Sequence, residues 1–140
     1  MREVSQENVE ALRSDFGAGV DAQDGLALDR AIETFHPDIE FREDPSFPEA
    51  RIYRGREAVR AYAEQFSAEF DAFSWQTEDF LDAGDDQVLV LIRVRGRGKS
   101  SGIEIDLQGG WLYTLKDGVA VRVDAYLDRA EALAAAGLSE

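Results

Sequence analysis

The sequence predicts an α+β fold in which helices come first and a long antiparallel sheet follows. Apolar residues recur at helical spacing in the first half of the chain. From residue 72 onwards they alternate in long runs that turn signals separate. Strands of this length must twist and curl. We therefore expect a curved antiparallel sheet wrapped by N-terminal helices, a cone-shaped barrel with one open end, as a single domain over residues 1–140.

Three helices are predicted before the sheet, each with one apolar stripe. Ser5 and Asp24 are candidate N-caps of the first two, and Pro37 ends the second. The stripe of the first helix consists of Val9, Leu12, Phe16 and Val20. The stripe of the second consists of Leu28, Ala31, Ile32 and Phe35. The stripe of the third consists of Val59, Tyr62, Ala63, Phe66 and Phe70.

A short extended segment, residues 38–44, follows the second helix, and residues 45–54 are expected to form an irregular loop. Strand side chains alternate between two faces, so Ile39, Phe41 and Glu43 should point the same way. If the two apolar residues face a core, the carboxylate of Glu43 faces it too.

Four strands are predicted at residues 72–82, 87–98, 101–116 and 119–127, and a short helix capped by Asp128 closes the chain. The expected concave face consists of Val88, Val90, Ile92, Val94, Ile103, Ile105, Leu107, Trp111, Val119, Val121, Val123, Ala125 and Leu127. The opposite face carries Leu89, Leu91, Leu112 and Tyr126 among its charges, which suits association between two copies.

Composition excludes several classes of function. With 15 basic and 29 acidic residues the net charge is −14, which disfavours nucleic acid and anionic membranes as partners. The absence of cysteine and the single histidine exclude thiolate and multi-histidine metal sites, so neither a metal nor another cofactor is expected. No apolar run suggests a signal peptide or a membrane span, so a cytoplasmic location is expected.

The basic run "RVRGRGK" is interpreted as a solvated sheet face. Folding the hairpin about "GKSS" sets Arg95 opposite Glu104 and Arg93 opposite Asp106, and opposite charges that face each other across strands stabilise a sheet. Arg97 is left without a predicted partner.

The order of elements and four segments, "FHPDIEF", "YRGREAVRAY", "LYTLKDGVAVRVDAYLD" and "RAEALAAAGL", resemble the SnoaL-like branch of the nuclear transport factor 2-like superfamily. The resemblance covers nearly the whole chain. It implies the cone of the cystatin-like, ketosteroid isomerase-like fold, a small apolar molecule as partner, and a homodimer through the sheet. Members include steroid isomerases, polyketide cyclases, limonene epoxide hydrolases, dehydratases and binding proteins without chemistry.

The resemblance to steroid isomerases places their general base at "REDP". Counting from Phe35 reaches Glu43, whereas aligning "EDP" itself reaches Asp44. The tyrosine that holds the enolate in those enzymes falls on Phe16, and their second donor falls on Gly110 or Trp111. Loss of oxyanion donors costs several kcal/mol of transition-state stabilisation, so that mechanism is disfavoured.

The other enzymes of the superfamily match less well. The dehydratase pattern needs two histidines, and the chain has only His36. Asp124 and Asp128 lie near the catalytic acid of polyketide cyclases, but alternation turns Asp124 outward and Asp128 has a cap to make. The five polar positions of epoxide hydrolases fall on Phe41, Glu43, Ile92, Val94 and Ala125. Only Glu43 among them is polar, so the epoxide hydrolase mechanism is nearly excluded.

The candidate catalytic residues are therefore Glu43 or Asp44 as base and Tyr53, Tyr62 or His36 as donor. Each has a structural alternative, such as an ion pair for Glu43 or a contact with the helix dipole for His36. The predicted ligand pocket consists of Phe16, Phe41, Glu43, Tyr62, Phe66, Val90, Ile92, Leu107, Trp111 and Val123.

Three hypotheses for function follow. The first is an isomerase, cyclase or lyase that acts on a small apolar carbonyl compound with a pocket carboxylate. The second is a non-catalytic binder of a small hydrophobic molecule, and the third is a dimerising scaffold. A pocket without polar groups other than Glu43 favours the second, whereas a donor that reaches the same bound atom as the carboxylate favours the first.

Overall fold

The computed structural model describes residues 9–10, 21–22, 32–84 and 86–138. Residues 9–10 and 32–33 are helical, and two further helices have described bounds, α1 (Arg56–Ala68) and α2 (Arg129–Ala135). The described strands are β1 (Asp21–Ala22), β2 (Glu40–Arg42), β3 (Ile52–Arg54), β4 (Phe70–Gly84), β5 (Gln87–Gly98), β6 (Glu104–Lys116) and β7 (Val119–Tyr126).

The strands form one sheet in the order β1-β4-β5-β6-β7-β2-β3. Strands β4 to β7 are consecutive antiparallel neighbours, which confirms the predicted meander. The pairing of β4 with β5 shifts register three times, and such bulges increase twist and bend a sheet. The sheet therefore curls into a half-barrel, and the predicted α+β cone is confirmed.

Two features at the far edge differ from the expectation. Strand β2 runs parallel to β7, so the sheet is mixed. Residues 52–54, expected within a loop, form β3 and pair with β2, with Phe41 opposite Tyr53. A run of three residues is too short for alternation to reveal it. Ser5, Asp24 and the predicted pocket residue Phe16 lie outside the described residues.

An inner cluster fills the closed part of the cone. Val88, Val90 and Ile92 of β5 alternate inward, and each is at most 5% exposed. They pack with Ile32, Phe35, Ile39, Phe41, Val59, Tyr113, Leu115, Ala120 and Val123.

Two parts of the expected concave face are wrong. A register shift between Thr114 and Leu115 against β7 makes Ala120 the buried residue in place of its valine neighbours Val119 and Val121. Ile103 precedes β6 and is 66% exposed.

An outer cluster lies on the opposite face of the sheet. Leu89, Leu91 and Leu112 are at most 4% exposed because Ala132, Leu133 and Ala136 of the α2 segment cover them. The expectation that these leucines are available for association is therefore wrong. A side chain at Gly110 would bring its Cβ within 2.8 Å of the Cβ of Ala132, so the glycine permits this close approach.

Helix α2 begins as predicted. The Asp128 side chain accepts a hydrogen bond from the Glu131 N–H at 3.0 Å, which satisfies one of the free donors of the first turn. No helix in the described part of the chain is long and apolar enough to cross a membrane.

The arginine face also forms ion pairs, but in a different register. Arg93 lies opposite Gln108 and reaches diagonally to Asp106 with two contacts of 2.8 Å. Arg97 lies opposite Glu104 and binds it at 2.7 Å, so it has the partner that the sequence did not predict. The hairpin turn is longer than predicted, so the pairing shifts by two residues. A shift of two keeps the same side chains on the same face of the sheet.

Candidate functional site

A cavity of about 270 Å³ lies between the concave face of the sheet and α1. No described residue that lines it carries a formal charge. Nine of these residues are aromatic, namely Phe35, Phe41, Phe47, Tyr62, Phe66, Phe70, Trp111, Tyr113 and Tyr126. Aliphatic side chains and Gly109 make up the rest of the described wall.

The structure places seven of the predicted pocket residues on this wall: Phe41, Tyr62, Phe66, Ile92, Leu107, Trp111 and Val123. Val90 is fully buried in the inner cluster beneath the cavity and does not line it. Phe16 lies outside the described residues, and Glu43 lines a separate recess.

A row of aromatic rings forms the α1 side of the cavity. The ring centroids of Tyr53 and Tyr62 are 4.6 Å apart, and those of Phe41 and Tyr62 are 5.2 Å apart. Phe66, one helical turn after Tyr62, continues the row to Phe70 with centroids 5.2 Å apart. Burial, reinforced by the negative charge of Glu43, raises the pKa of Tyr62, so its hydroxyl stays protonated.

Glu43 does not face the cavity, contrary to the expectation from strand alternation. It lines a separate polar recess with Phe47, Pro48, Glu49, Arg51 and Tyr53. Its Oε1 accepts hydrogen bonds from the Arg51 N–H at 3.1 Å and from the Tyr53 hydroxyl at 3.4 Å. Phe47 lines both spaces, and Tyr53 stacks on Tyr62, so aromatic rings separate the carboxylate from the cavity.

Tyr53, one of the candidate donors, thus donates its hydrogen bond to Glu43 and lies in the recess. Burial raises the pKa of its hydroxyl, and the charge of Glu43 adds to that rise. The contact joins a candidate base to a candidate donor, but on the far side of the wall from the cavity.

Asp44 is the one charged residue in the described part of the chain that is fully buried, at 2% exposure. Its Oδ2 accepts the Leu127 N–H at 2.7 Å and its Oδ1 accepts the Ser46 N–H at 2.8 Å. Burial alone would raise the pKa of Asp44, but these hydrogen bonds outweigh it and lower the pKa. The carboxylate is a structural acceptor and does not line the cavity.

The remaining candidate residues also lie outside the wall. His36 is exposed, and its Nδ1 accepts the Asp38 N–H at 3.0 Å in a turn after residues 32–33. Asp124 is held by Arg122 through two contacts of 2.8 and 3.2 Å, and Asp128 caps α2. Within the described ranges no three His, Asp or Glu side chains are grouped so as to hold a metal ion.

Gly109 leaves no room for a side chain at its position on the concave face of β6. An added Cβ would collide with the carbonyl oxygen of Tyr126, because the chain after β7 crosses the face at this point. Position 109 lines the cavity with backbone only. The resemblance assigned the second donor of the steroid isomerases to Gly110 or Trp111. At Gly110 the space is taken by Ala132 on the outer face, and Trp111 lines the cavity without a carboxyl group.

A family model described as a SnoaL-like domain matches residues 16–123. The chain belongs to the SnoaL-like family. No curated protein matches it significantly.

Solved structures share the SnoaL-like fold. An NTF2-like protein from Burkholderia thailandensis is 24% identical with a TM-score of 0.71, covering 86% of this chain and 90% of that one. A protein from Jannaschia sp. assigned as a SnoaL-like polyketide cyclase is 23% identical with a TM-score of 0.68, covering 86% and 85%. A ketosteroid isomerase-like protein from Catenulispora acidiphila, in complex with trimethylamine, is 16% identical with a TM-score of 0.66, covering 91% and 92%. At these identities the likeness concerns the fold alone.

The sequence did not reveal several residues of the SnoaL-like cavity. Tyr113 is in phase with Trp111, so alternation along β6 was a sufficient signal for it. Phe47 stands between two prolines in an exposed loop, and Tyr126 packs against the outer cluster, the side on which it was expected, while it also borders the cavity. Their positions depend on how the two chain segments meet, which no local pattern encodes.

Proposed function

We propose that this SnoaL-like protein binds a small, neutral, mostly apolar molecule in the cavity and does not transform it. One observation carries the proposal: no described lining residue is charged. Both carboxylates of the "REDP" segment bind other groups, Glu43 in the recess and Asp44 at Leu127. A neutral, aromatic-lined concave site is typical of binding sites for apolar molecules.

The volume limits the size of the ligand. About 270 Å³ is close to the lower end of the roughly 300–1,000 Å³ that ligand pockets span, which suits a compact compound of two or three rings. The complex of the Catenulispora relative with trimethylamine supports a small guest in this fold.

Tyr62 is the candidate for the polar contact of the site. No described residue hydrogen-bonds to its hydroxyl, and its raised pKa keeps the proton in place. The hydroxyl would donate to one oxygen of the ligand, and the aromatic row would pack against its ring.

A titration with the neutral fluorescent probe N-phenyl-1-naphthylamine tests the proposal. The wild type should bind the probe, with a parallel change in the emission of Trp111, which lines the cavity. Ala63→Phe should abolish binding because it fills the cavity from α1. Ala61→Phe, on the exposed side of the same helix, is the matched control and should bind like the wild type. Failure of the wild type to bind, or undiminished binding by Ala63→Phe, would contradict the proposal.

The second candidate is the isomerase, cyclase or lyase reaction on a carbonyl compound, with Glu43 as base. The contact between Tyr53 and Glu43 favours it, because a base and a donor are already paired behind Phe47. Glu43→Gln in the same experiment separates the candidates. It should leave probe binding unchanged in both, and it should abolish turnover of a carbonyl substrate only if Glu43 is catalytic.

Three further expectations accompany the proposal: a single domain, a homodimer through the sheet and a cytoplasmic location. The dimer would have to use the charged part of the outer face, because α2 covers the outer leucines.

A further inference from the structure

We propose that Asp44 is the positioning residue that fixes the mouth of the cavity and thereby controls how fast a ligand enters and leaves. The inference rests on the proposed binding function. It assigns to the second carboxylate of "REDP" a role in access in place of chemistry.

The mouth is marked by exposure. Among the described lining residues, only Phe47 and Leu127 are exposed, at 40% and 38%. Phe47 lies on the loop after β2, and Leu127 lies in the turn between β7 and α2. The mouth is thus built from two segments that are distant in the sequence.

Asp44 holds both segments. Its carboxylate accepts the N–H of Leu127 at 2.7 Å and that of Ser46 at 2.8 Å, and its carbonyl accepts the N–H of Phe47 at 3.1 Å. Hydrogen bonds to an ionised acceptor are short and strong. With Asp44 2% exposed, water has little access to compete for them.

The same contacts fix what lies behind the mouth. The turn that Asp44 holds brings the Tyr126 carbonyl over Gly109, which closes one wall of the cavity. The loop that it holds places Phe47 between the cavity and the recess of Glu43. Release of Asp44 would widen the mouth and loosen this partition.

Asp44→Asn breaks the arrangement with little change in shape. The amide keeps one acceptor oxygen but presents an NH₂ group to the other N–H, which cannot accept it. Asp124→Asn is the matched control, since Asp124 is only 13% exposed, accepts two hydrogen bonds from Arg122 and does not line the cavity.

Stopped-flow release of N-phenyl-1-naphthylamine measures the effect. We expect dissociation from Asp44→Asn about tenfold faster than from the wild type, equal to about 1.4 kcal/mol. Asp124→Asn should lower the melting temperature without changing the dissociation rate. Phe47→Ala removes an exposed side chain of the mouth and should speed dissociation with little loss of stability, so it tests the mouth even if Asp44→Asn does not fold.

Amide hydrogen exchange of the unliganded protein gives a readout independent of the ligand. In Asp44→Asn the amides of Leu127 and Ser46 should exchange faster, while those of β5 should not. If the wild type binds no probe, the proposed function is wrong, and exchange still decides whether Asp44 holds the mouth. If the wild type binds and Asp44→Asn and Phe47→Ala release the probe at the wild-type rate, the role of Asp44 is wrong and the binding function stands.

Discussion

The two faces of β5 carry similar side chains but end in different environments. Val88, Val90 and Ile92 face inward, and Leu89 and Leu91 face outward, all at most 5% exposed. On the outer side Ala132 and Leu133 of α2 pack against the leucines, and an added Cβ at Gly110 would already collide with Ala132. On the inner side the cluster continues into an open cavity of about 270 Å³.

The difference indicates a functional division between the two faces of the sheet. A side chain in a filled cluster gains dispersion contacts with protein atoms on all sides, whereas a side chain that lines a cavity has protein atoms on only part of its surface. Adjacent glycines illustrate this. Gly110 lets α2 pack tightly on the outer face, while Gly109 lets the turn after β7 form one wall of the cavity. We infer that the outer cluster serves stability and the inner one also serves a ligand.

Truncation of one leucine on each face tests this division and gives the largest expected effect. Leu91→Ala should lower the free energy of unfolding by about 2–5 kcal/mol, because Leu91 is 2% exposed within the filled cluster. Leu107→Ala should cost less, since Leu107 is half-buried and lines the cavity. Urea denaturation measures both, and equal losses would contradict the division.

The fold was predictable because its signals are long and redundant. Apolar residues alternate over long stretches of strands β4 to β7, and Asp128 occupies the N-cap position of α2. Long paired strands tolerate local errors in a prediction. The register shift next to Ala120 and the two-residue shift at Arg93 change which residues face each other but not the order of the strands.

The candidate site was only half predictable, because it depends on segments that meet in space. Ile92, Leu107 and Trp111, which alternation assigned to the pocket, line the cavity. The same rule put Glu43 in the cavity, but the Glu43 side chain lies in the separate recess, where it binds Arg51 and Tyr53. The partner of Asp44 is Leu127, 83 positions away, and no local pattern reports such a contact.

The second-largest expected effect is the dependence of stability on pH. The contacts at the mouth of the cavity depend on the titratable carboxylate of Asp44, whereas the outer cluster is apolar. The pKa of Asp44 is lower in the folded protein than its usual value of 3.8, so its ionised form favours folding. That contribution is present above about pH 4 and is lost as the pH falls through the lowered pKa.

Asp44→Asn should therefore cost about 2 kcal/mol at pH 7, and the gap from the wild type should close in acid. Leu91→Ala should show no such closing, because Leu91 does not titrate. Thermal melts from pH 7 down to pH 2.5 make the comparison. A gap for Asp44→Asn that stays constant across this range would contradict the assignment of the stabilising charge to Asp44.

The smallest expected effect concerns the part of the outer face beyond α2. The side chains of Arg97 and Glu104 pair at 2.7 Å but are 58% and 73% exposed. Water and salt screen an attraction between such groups, so Arg97→Gln should leave the melting temperature nearly unchanged at both low and high salt. A loss as large as that of Leu91→Ala, dependent on protein concentration, would mean that the pair is buried in solution. The homodimer through the sheet would then cover this face and would add to the stability that the outer side already supplies.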